Sequence, residues 1–213
     1  NIELLLYRNA PSGYSRQKYY PSEEWKALFD KDNDWRWLQW AMMAEGFSTT
    51  IGSDKYQDGV VLNYLRDQYM KTTQGMTYPL LLLEKAEAEA RTGKTSQALE
   101  SLNTLRKYRY KGTSTNLPNG GSLSQDQLLE EILKERRREQ PLISFNRTLD
   151  IKRFALDTGK PWCKTSITHK SGSYTYSANV SDPIFQSLPI DNGIIKYNPQ
   201  WGLEINENTF EPD

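Results

Sequence analysis

Thr77-Tyr78-Pro79-Leu80-Leu81-Leu82-Leu83-Glu84-Lys85-Ala86-Glu87-Ala88-Glu89-Ala90-Arg91-Thr92-Gly93-Lys94-Thr95-Ser96-Gln97-Ala98-Leu99-Glu100-Ser101-Leu102-Asn103-Thr104-Leu105-Arg106 holds two helices and the turn between them. Pro79 stands at the start, where a missing N–H costs nothing. Four leucines and the alanines at 86, 88 and 90 are strong helix formers. Gly93 sits where a left-handed residue closes a helix. Thr95 caps the second helix, which gathers Ala98, Leu99, Leu102 and Leu105 on one face. Two helices joined by a short Gly-containing turn form an αα-hairpin, and small alanines let the second helix approach closely.

Working outward toward the C-terminus, residues 111–123 form a loop rich in Gly, Ser, Asn and Thr. Ser124 and Gln127 make a capping box. The helix it opens carries Leu128, Leu129, Ile132 and Leu133 on one side, and Pro141 ends it. A further helix spans about Phe145 to Leu156. From Thr158 the chain is loop-rich, with an alternating piece at Tyr174-Thr175-Tyr176 and apolar pieces at Ile184-Phe185 and Ile194-Ile195. Toward the N-terminus, residues 1–21 mix short apolar pieces with Pro, Gly and Ser and end in Tyr19-Tyr20. Ser22 caps a helix with Trp25, Leu28 and Phe29 on its apolar side. Trp35, Trp37 and Trp40 follow, and residues 45–77 are punctuated by glycines. The fold class is therefore mainly α: a tetratricopeptide-like α-α hairpin and packed helices, with loop-rich extensions and few short strands. A helical scaffold over 77–157 lies between loop-rich flanks at 1–76 and 158–213. Only one helix pair of tetratricopeptide type is visible.

The composition removes several functions. The 213 residues carry 27 basic and 27 acidic side chains, and neither half is strongly charged. Binding driven by counterion release from nucleic acid needs a clustered basic face, and docking on anionic lipid needs a basic patch. Mean hydropathy is −0.77, yet 12% of residues are aromatic, so the chain folds rather than remaining disordered. Tyr and Trp supply 19 of the 25 aromatics, summing 13 and 6 against 6 Phe. No apolar run is long enough to span a bilayer as a helix. Cys163 and His169 are the single residues of their kinds. They allow no intramolecular disulfide and no Cys/His zinc site within one chain, so no metal or cofactor is expected. As a nucleophile pair they lie in a polar, loop-like stretch without a supporting signature.

Other constellations read as structure. Glu135-Arg136-Arg137-Arg138-Glu139 lies on an amphipathic helix with acidic residues flanking the arginines, which favours a solvated or paired face over a phosphate site. Glu87 and Arg91 stand i, i+4 in the favourable order. No Gly-rich phosphate loop, nucleophile elbow or zinc-protease motif is present. The aromatic group is the most suggestive feature. On a helix Trp37 and Trp40 share a face while Trp35 points elsewhere. Flat aromatic faces stack on the apolar faces of sugar rings at low entropy cost. The competing reading has these tryptophans plugging the core of a region short of other apolar residues.

The segments Tyr78–Ala88, Gly93 and Leu102-Asn103-Thr104-Leu105-Arg106 resemble the helix pair of the SusD/RagB outer-membrane nutrient-binding proteins. Ile132–Glu139 resembles that family's glutamate-arginine helix, and Asn146–Phe154 its Arg-x-x-Asp-[Leu/Ile]-[Lys/Arg]-Arg step. Asp34-Trp35-Arg36, Lys55-Tyr56, Leu188-Pro189-Ile190 and Asn198-Pro199 resemble shorter landmarks, in the same order, across about residues 30–200. After Glu139 the sequence departs from the family, reading Gln140-Pro141-Leu142-Ile143-Ser144.

The resemblance implies the C-terminal portion of a lipid-anchored, surface-exposed protein of the outer membrane. It implies capture of oligosaccharides, or less often peptides, for delivery to a SusC-like TonB-dependent transporter, with no enzymatic step and no cofactor. The membrane is met only through an anchor outside this chain. In that reading Glu87, Arg106, Arg136 and Asp150 form a structural charge network between helices. Trp37, Trp40, Tyr19 and Tyr20 are the candidate carbohydrate contacts. The alternative is a helical protein–protein interaction module that docks a transporter or a peptide without binding sugar. A hydrolase using acidic residues is the third reading, and it requires carboxylates set at catalytic separations in a cleft.

Overall fold

The computed structural model describes residues 23–43, 49–51, 54–56, 60–62, 76–140, 146–171, 174–182 and 192–203. The fold is mainly α. The chain divides into two compact units. One comprises Asn1–Ser48 with Tyr56–Arg147; the other comprises Thr49–Lys55 with Thr148–Asp213.

The first unit is built on three helices, α3 (Tyr78–Arg91), α4 (Thr95–Arg106) and α5 (Gln125–Glu139). Thr77 caps α3 by accepting from the Leu80 N–H, and Pro79 occupies its first turn. The helix closes in a Schellman motif. The Lys94 N–H donates to Glu89 O and the Gly93 N–H to Ala90 O, while Gly93 takes φ 79°. The αα-hairpin is present as the sequence reads, with one adjustment: Lys94 stands at the cap of α4 and Thr95 is its first helical residue. Ala86, Ala90 and Ala98 are fully buried, so α3 and α4 approach closely, whereas Ala88 faces outward. Lys85 donates to Ser101 Oγ, which donates to Glu89, tying the pair together.

Ser124 and Gln127 close the expected capping box at the start of α5. Leu128, Leu129, Ile132 and Leu133 turn inward and pack chiefly against α3, with a smaller contact to α4. Gln125 donates to Ala90 O, so the beginning of α5 satisfies a carbonyl at the end of α3.

The N-terminal segment joins this core. Helix α1 is a single turn, Glu23–Lys26, and α2 runs Trp35–Trp40 into β1 (Ala41–Met43). Strand β1 pairs antiparallel with β4 (Val60–Leu62), Met42 opposite Val61. The Trp25 and Phe29 rings meet edge to face at 4.5 Å, and Phe29 packs on Trp37 at 5.6 Å. The Trp25 indole donates to Arg137 O on α5.

The second unit holds β2 (Thr49–Ile51), the first two residues of its partner strand β3 (Asp54–Tyr56), and the hairpin of β5 (Ser166–Ser171) with β6 (Tyr174–Asn179). The hairpin is antiparallel, with Ser166 opposite Asn179 and Ser171 opposite Tyr174. Ile151, Phe154, Val180 and Ile195 are the second unit's buried apolar residues among those described. The division between the units falls within α6 (Asn146–Phe154), a helix the sequence places at about 145–156. One reading changes. The stretch around His169, read as loop, is strand β5, because its partner strand supplies the hydrogen bonds that its polar sequence cannot advertise. Ile194-Ile195, read as an apolar piece, lies in helix α7 (Asn192–Tyr197), which runs into a 3-10 turn at Pro199–Trp201. Ser22, Pro141 and Ile184-Phe185 lie outside the described residues.

Candidate functional site: a buried charge cluster and the aromatics around it

The feature that organises the first unit is ionic. Glu135 projects from α5 and is completely buried. Its Oε1 lies 2.6 Å from Arg36 and its Oε2 3.1 Å from Arg106 and 2.8 Å from Arg138. Arg36 at the head of α2, 2% exposed, forks onto Asp34 at 2.7 Å and reaches Glu139 at 2.6 Å. Glu139 also meets Arg109 at 2.8 Å. Tyr110 completes the cluster. Its hydroxyl is 3.4 Å from Glu135, and the Arg106 guanidinium stacks 4.0 Å from its ring centroid. Two further guanidinium donors go to main chain, from Arg138 to Leu28 O and from Arg106 to Thr115 O. Three chain segments remote in sequence are thus joined by arginine forks.

Burial pushes the Glu135 carboxyl up, but the charges of Arg36, Arg138 and Arg106 outweigh it and hold it below the usual carboxylate range. For Arg36 burial opposes ionisation, and Glu135, Asp34 and Glu139 reverse the balance, leaving it charged. Burial, reinforced by Glu135, raises the Tyr110 hydroxyl despite the arginines nearby. Glu135 and Arg36 are thus both held in their charged forms by their neighbours. That suits a scaffold and not proton transfer, which needs a group poised near the working pH.

Of the residues expected to form a charge network, Arg106 enters this cluster. Arg136 is buried and reaches Glu84 at 3.4 Å; Glu87 is buried and pairs with Arg91 at 2.8 Å. In the second unit, Asp150 is buried and pairs with Arg153 at 3.0 Å. The run Glu135–Glu139 is buried and ion-paired at Glu135, Arg136 and Arg138 rather than solvated. Sequence reading missed Asp34, Arg36, Glu135, Arg138 and Glu139 as a cluster. A signal existed: Leu128, Ile132, Glu135 and Glu139 share the i, i+4, i+7, i+11 stripe of α5, so two carboxylates interrupt an apolar face.

The aromatic candidates separate. Trp37 is 7% exposed, its ring engaged by Phe29 and by Lys31 at 5.1 Å, so it is a core residue with no open face for a ligand. The correction has a plain cause: the short α2 turns Trp37 toward Phe29 to close an interior otherwise poor in aliphatic residues. Trp40 ends α2, its side chain outside the described residues, as are Tyr19 and Tyr20. Trp35 is exposed, and so is Tyr108. Cys163 is half-buried, its Sγ 3.8 Å from Ala155 O, and His169 stands on β5 opposite Tyr176. Among the described residues, no group of three or more His, Cys, Asp and Glu is arranged to hold a metal ion. Nor, among them, is any helix long and apolar enough to cross a membrane.

The sequence profile of the SusD family matches residues 13–201. The chain belongs to the SusD family. SusD-family members are binding proteins rather than enzymes, associated with glycan capture and TonB-dependent transport. No curated protein matches the chain. Within the SusD match fall the αα-hairpin, the buried charge cluster and the β5–β6 hairpin, so the family assignment covers both units.

Proposed function

We propose that this SusD-family chain captures oligosaccharides at the bacterial surface and passes them to a SusC-like TonB-dependent transporter, with no chemistry done on the ligand. The observation that carries the reading is the family match over residues 13–201. The charge cluster supports it: Asp34, Glu135 and Glu139 are each committed to arginine, and a retaining or inverting glycosidase needs one carboxyl free to donate a proton. The protein is held at the outer membrane by a lipid anchor in its full-length form. Tyr19, Tyr20 and Trp40 contact the glycan. Glu87, Arg106, Arg136 and Asp150 serve as structural charges.

Fluorescence titration of the full-length protein against an oligosaccharide array tests this. Quenching by at least one glycan is expected, reduced in Trp40→Ala and in the Tyr19→Ala, Tyr20→Ala double variant. Silence across the array would refute glycan capture.

A second reading is favoured by one observation. Met76, Tyr78 and Leu81 are all exposed at the start of α3, where Tyr78 and Leu81 stand i, i+3 on one side. Such an apolar edge on the αα-hairpin suits docking onto the transporter, with or without sugar binding. Loss of transporter pull-down in Tyr78→Lys, Leu81→Glu, with glycan affinity unchanged, would assign docking to this edge. Transporter capture by a protein that binds no glycan would put this reading in place of the first.

A further inference from the structure

The loop of residues 111–123, between α4 and α5, is fastened to α4 from several sides. The Leu117 N–H donates to Asn103 Oδ1 at 2.8 Å, and Arg106 Nε donates to Thr115 O at 3.0 Å. Gly120 is buried against Leu99. A Cβ added there would stand 2.6 Å from Leu99 Cδ1, so the backbone has no slack at this point. Gly120 opens a 3-10 turn, Gly120–Ser122, and its N–H donates to Leu117 O at 3.1 Å.

Asn119, directly before it, is exposed and left-handed, with φ 54° and ψ 19°. Its carbonyl accepts from the Ser122 N–H and hydroxyl, both at 2.9 Å. Among the described residues its carboxamide has no partner. In an Asn-Gly step the glycine has no Cβ to hinder attack by its own nitrogen on the asparagine side chain. The attack needs the Gly120 nitrogen beside Asn119 Cγ. At ψ 19° that nitrogen lies on the far side of the Cα–C bond from Cβ, and its hydrogen is held by Leu117 O. The closed loop thus holds a reactive pair apart.

We propose that Asn119-Gly120 is a deamidation site shut by the closed loop, and that its modification stops the loop from closing again. When the loop opens, the Gly120 nitrogen loses its proton to solvent and bonds to Asn119 Cγ. The bond from Cγ to the amide nitrogen breaks, and ammonia leaves with a proton from solvent. Water then adds to one carbonyl of the cyclic imide and breaks that carbonyl's bond to the ring nitrogen. The product is aspartate or, where the main chain now runs through the side chain, isoaspartate; nothing is oxidised or reduced. Isoaspartate lengthens the backbone beside a glycine that has no room to move. A loop that cannot reseat withdraws Leu117 from Asn103 and Thr115 O from Arg106. Arg106 is bound to Glu135, so the damage reaches the buried charge cluster.

Peptide mapping of the full-length protein, after timed incubation in mildly alkaline buffer, tests this. Products at Asn119 are counted apart from those at Asn192-Gly193, the other Asn-Gly step in the sequence. Wild type is incubated folded and in guanidinium chloride, beside folded Asn103→Ala and both forms of Asn119→Gly. The unfolded chain should react at Asn119 at least about tenfold faster than the folded one, with Asn103→Ala between them. Modified wild type, returned to plain buffer, should melt below untreated protein. Asn119→Gly, which keeps the left-handed turn, should recover its own melting transition after the same treatment. Rates within about twofold of each other in folded and unfolded wild type overturn the proposal. So does a folded Asn103→Ala that reacts as slowly as wild type; if that variant does not fold, the wild-type ratio decides. Modified protein that melts with untreated wild type overturns the loss of closure.

Discussion

Glu135 is a carboxylate with no access to water, and only its arginines make that tolerable. Desolvation of a lone buried charge costs several kcal/mol, so the ion is stable only as part of its set. Removing the carboxylate leaves Arg36, Arg106 and Arg138 buried with no common counter-charge. Glu135→Gln should therefore destabilise the protein by about 3–5 kcal/mol, read from urea or thermal unfolding. The same group sets the acid limit. Its folded-state pKa lies below the ordinary 4.5, so its stabilisation is full above that value and is lost as pH falls through the lower folded one. Unfolding free energy should drop on acidification below about pH 4.5, with a shallower slope in Glu135→Gln. A slope equal to wild type would show that other carboxylates govern the transition. At this scale the sequence showed the residues and left open whether they are solvated or paired. The charges of Glu135–Glu139 were visible, yet whether such a run faces water or an arginine from a segment a hundred positions away is not a local property.

Elements were legible wherever their ends carry their own chemistry. Helix α3 is bounded by Thr77 and Gly93, and α5 opens on the Ser124–Gln127 box; each bound is a hydrogen bond written into neighbouring residues. Ser124→Ala should cost about 1 kcal/mol of stability, measured by chemical unfolding. Gly93→Ala places a Cβ at φ 79° and should cost about 1–2 kcal/mol, although nothing lies within 4 Å of the added carbon. A larger loss would point to packing that the open space around Gly93 does not contain. Elements without such marks were read poorly. Ser166–Ser171 has little apolar alternation and becomes a strand because Tyr174–Asn179 pairs with it. Helix α7 has no described side-chain cap, and its isoleucine pair looks the same in a strand or a helix.

For the whole molecule, charge balance has a direct consequence. With 27 positive and 27 negative side chains there is no net field to steer or hold a neutral ligand. Affinity for a neutral oligosaccharide should change by less than about twofold between roughly 0.05 and 0.5 M salt, checked by calorimetry. A steep salt dependence would indicate an anionic ligand. Sequence alone determined the mainly helical class, the αα-hairpin and the resemblance that the family match upheld, because helix periodicity, caps and motif order are short-range or linear features. It also put Trp37 and Trp40 on one helix face and Trp35 on another, without telling which of them is interior. Only the tertiary structure decided that Trp37 is interior, that Trp35 is presented to solvent, and that Glu135 binds arginines from three segments. Those outcomes depend on which surfaces meet after the chain has closed, where burial turns an ordinary charge or ring into a fixed part of the core.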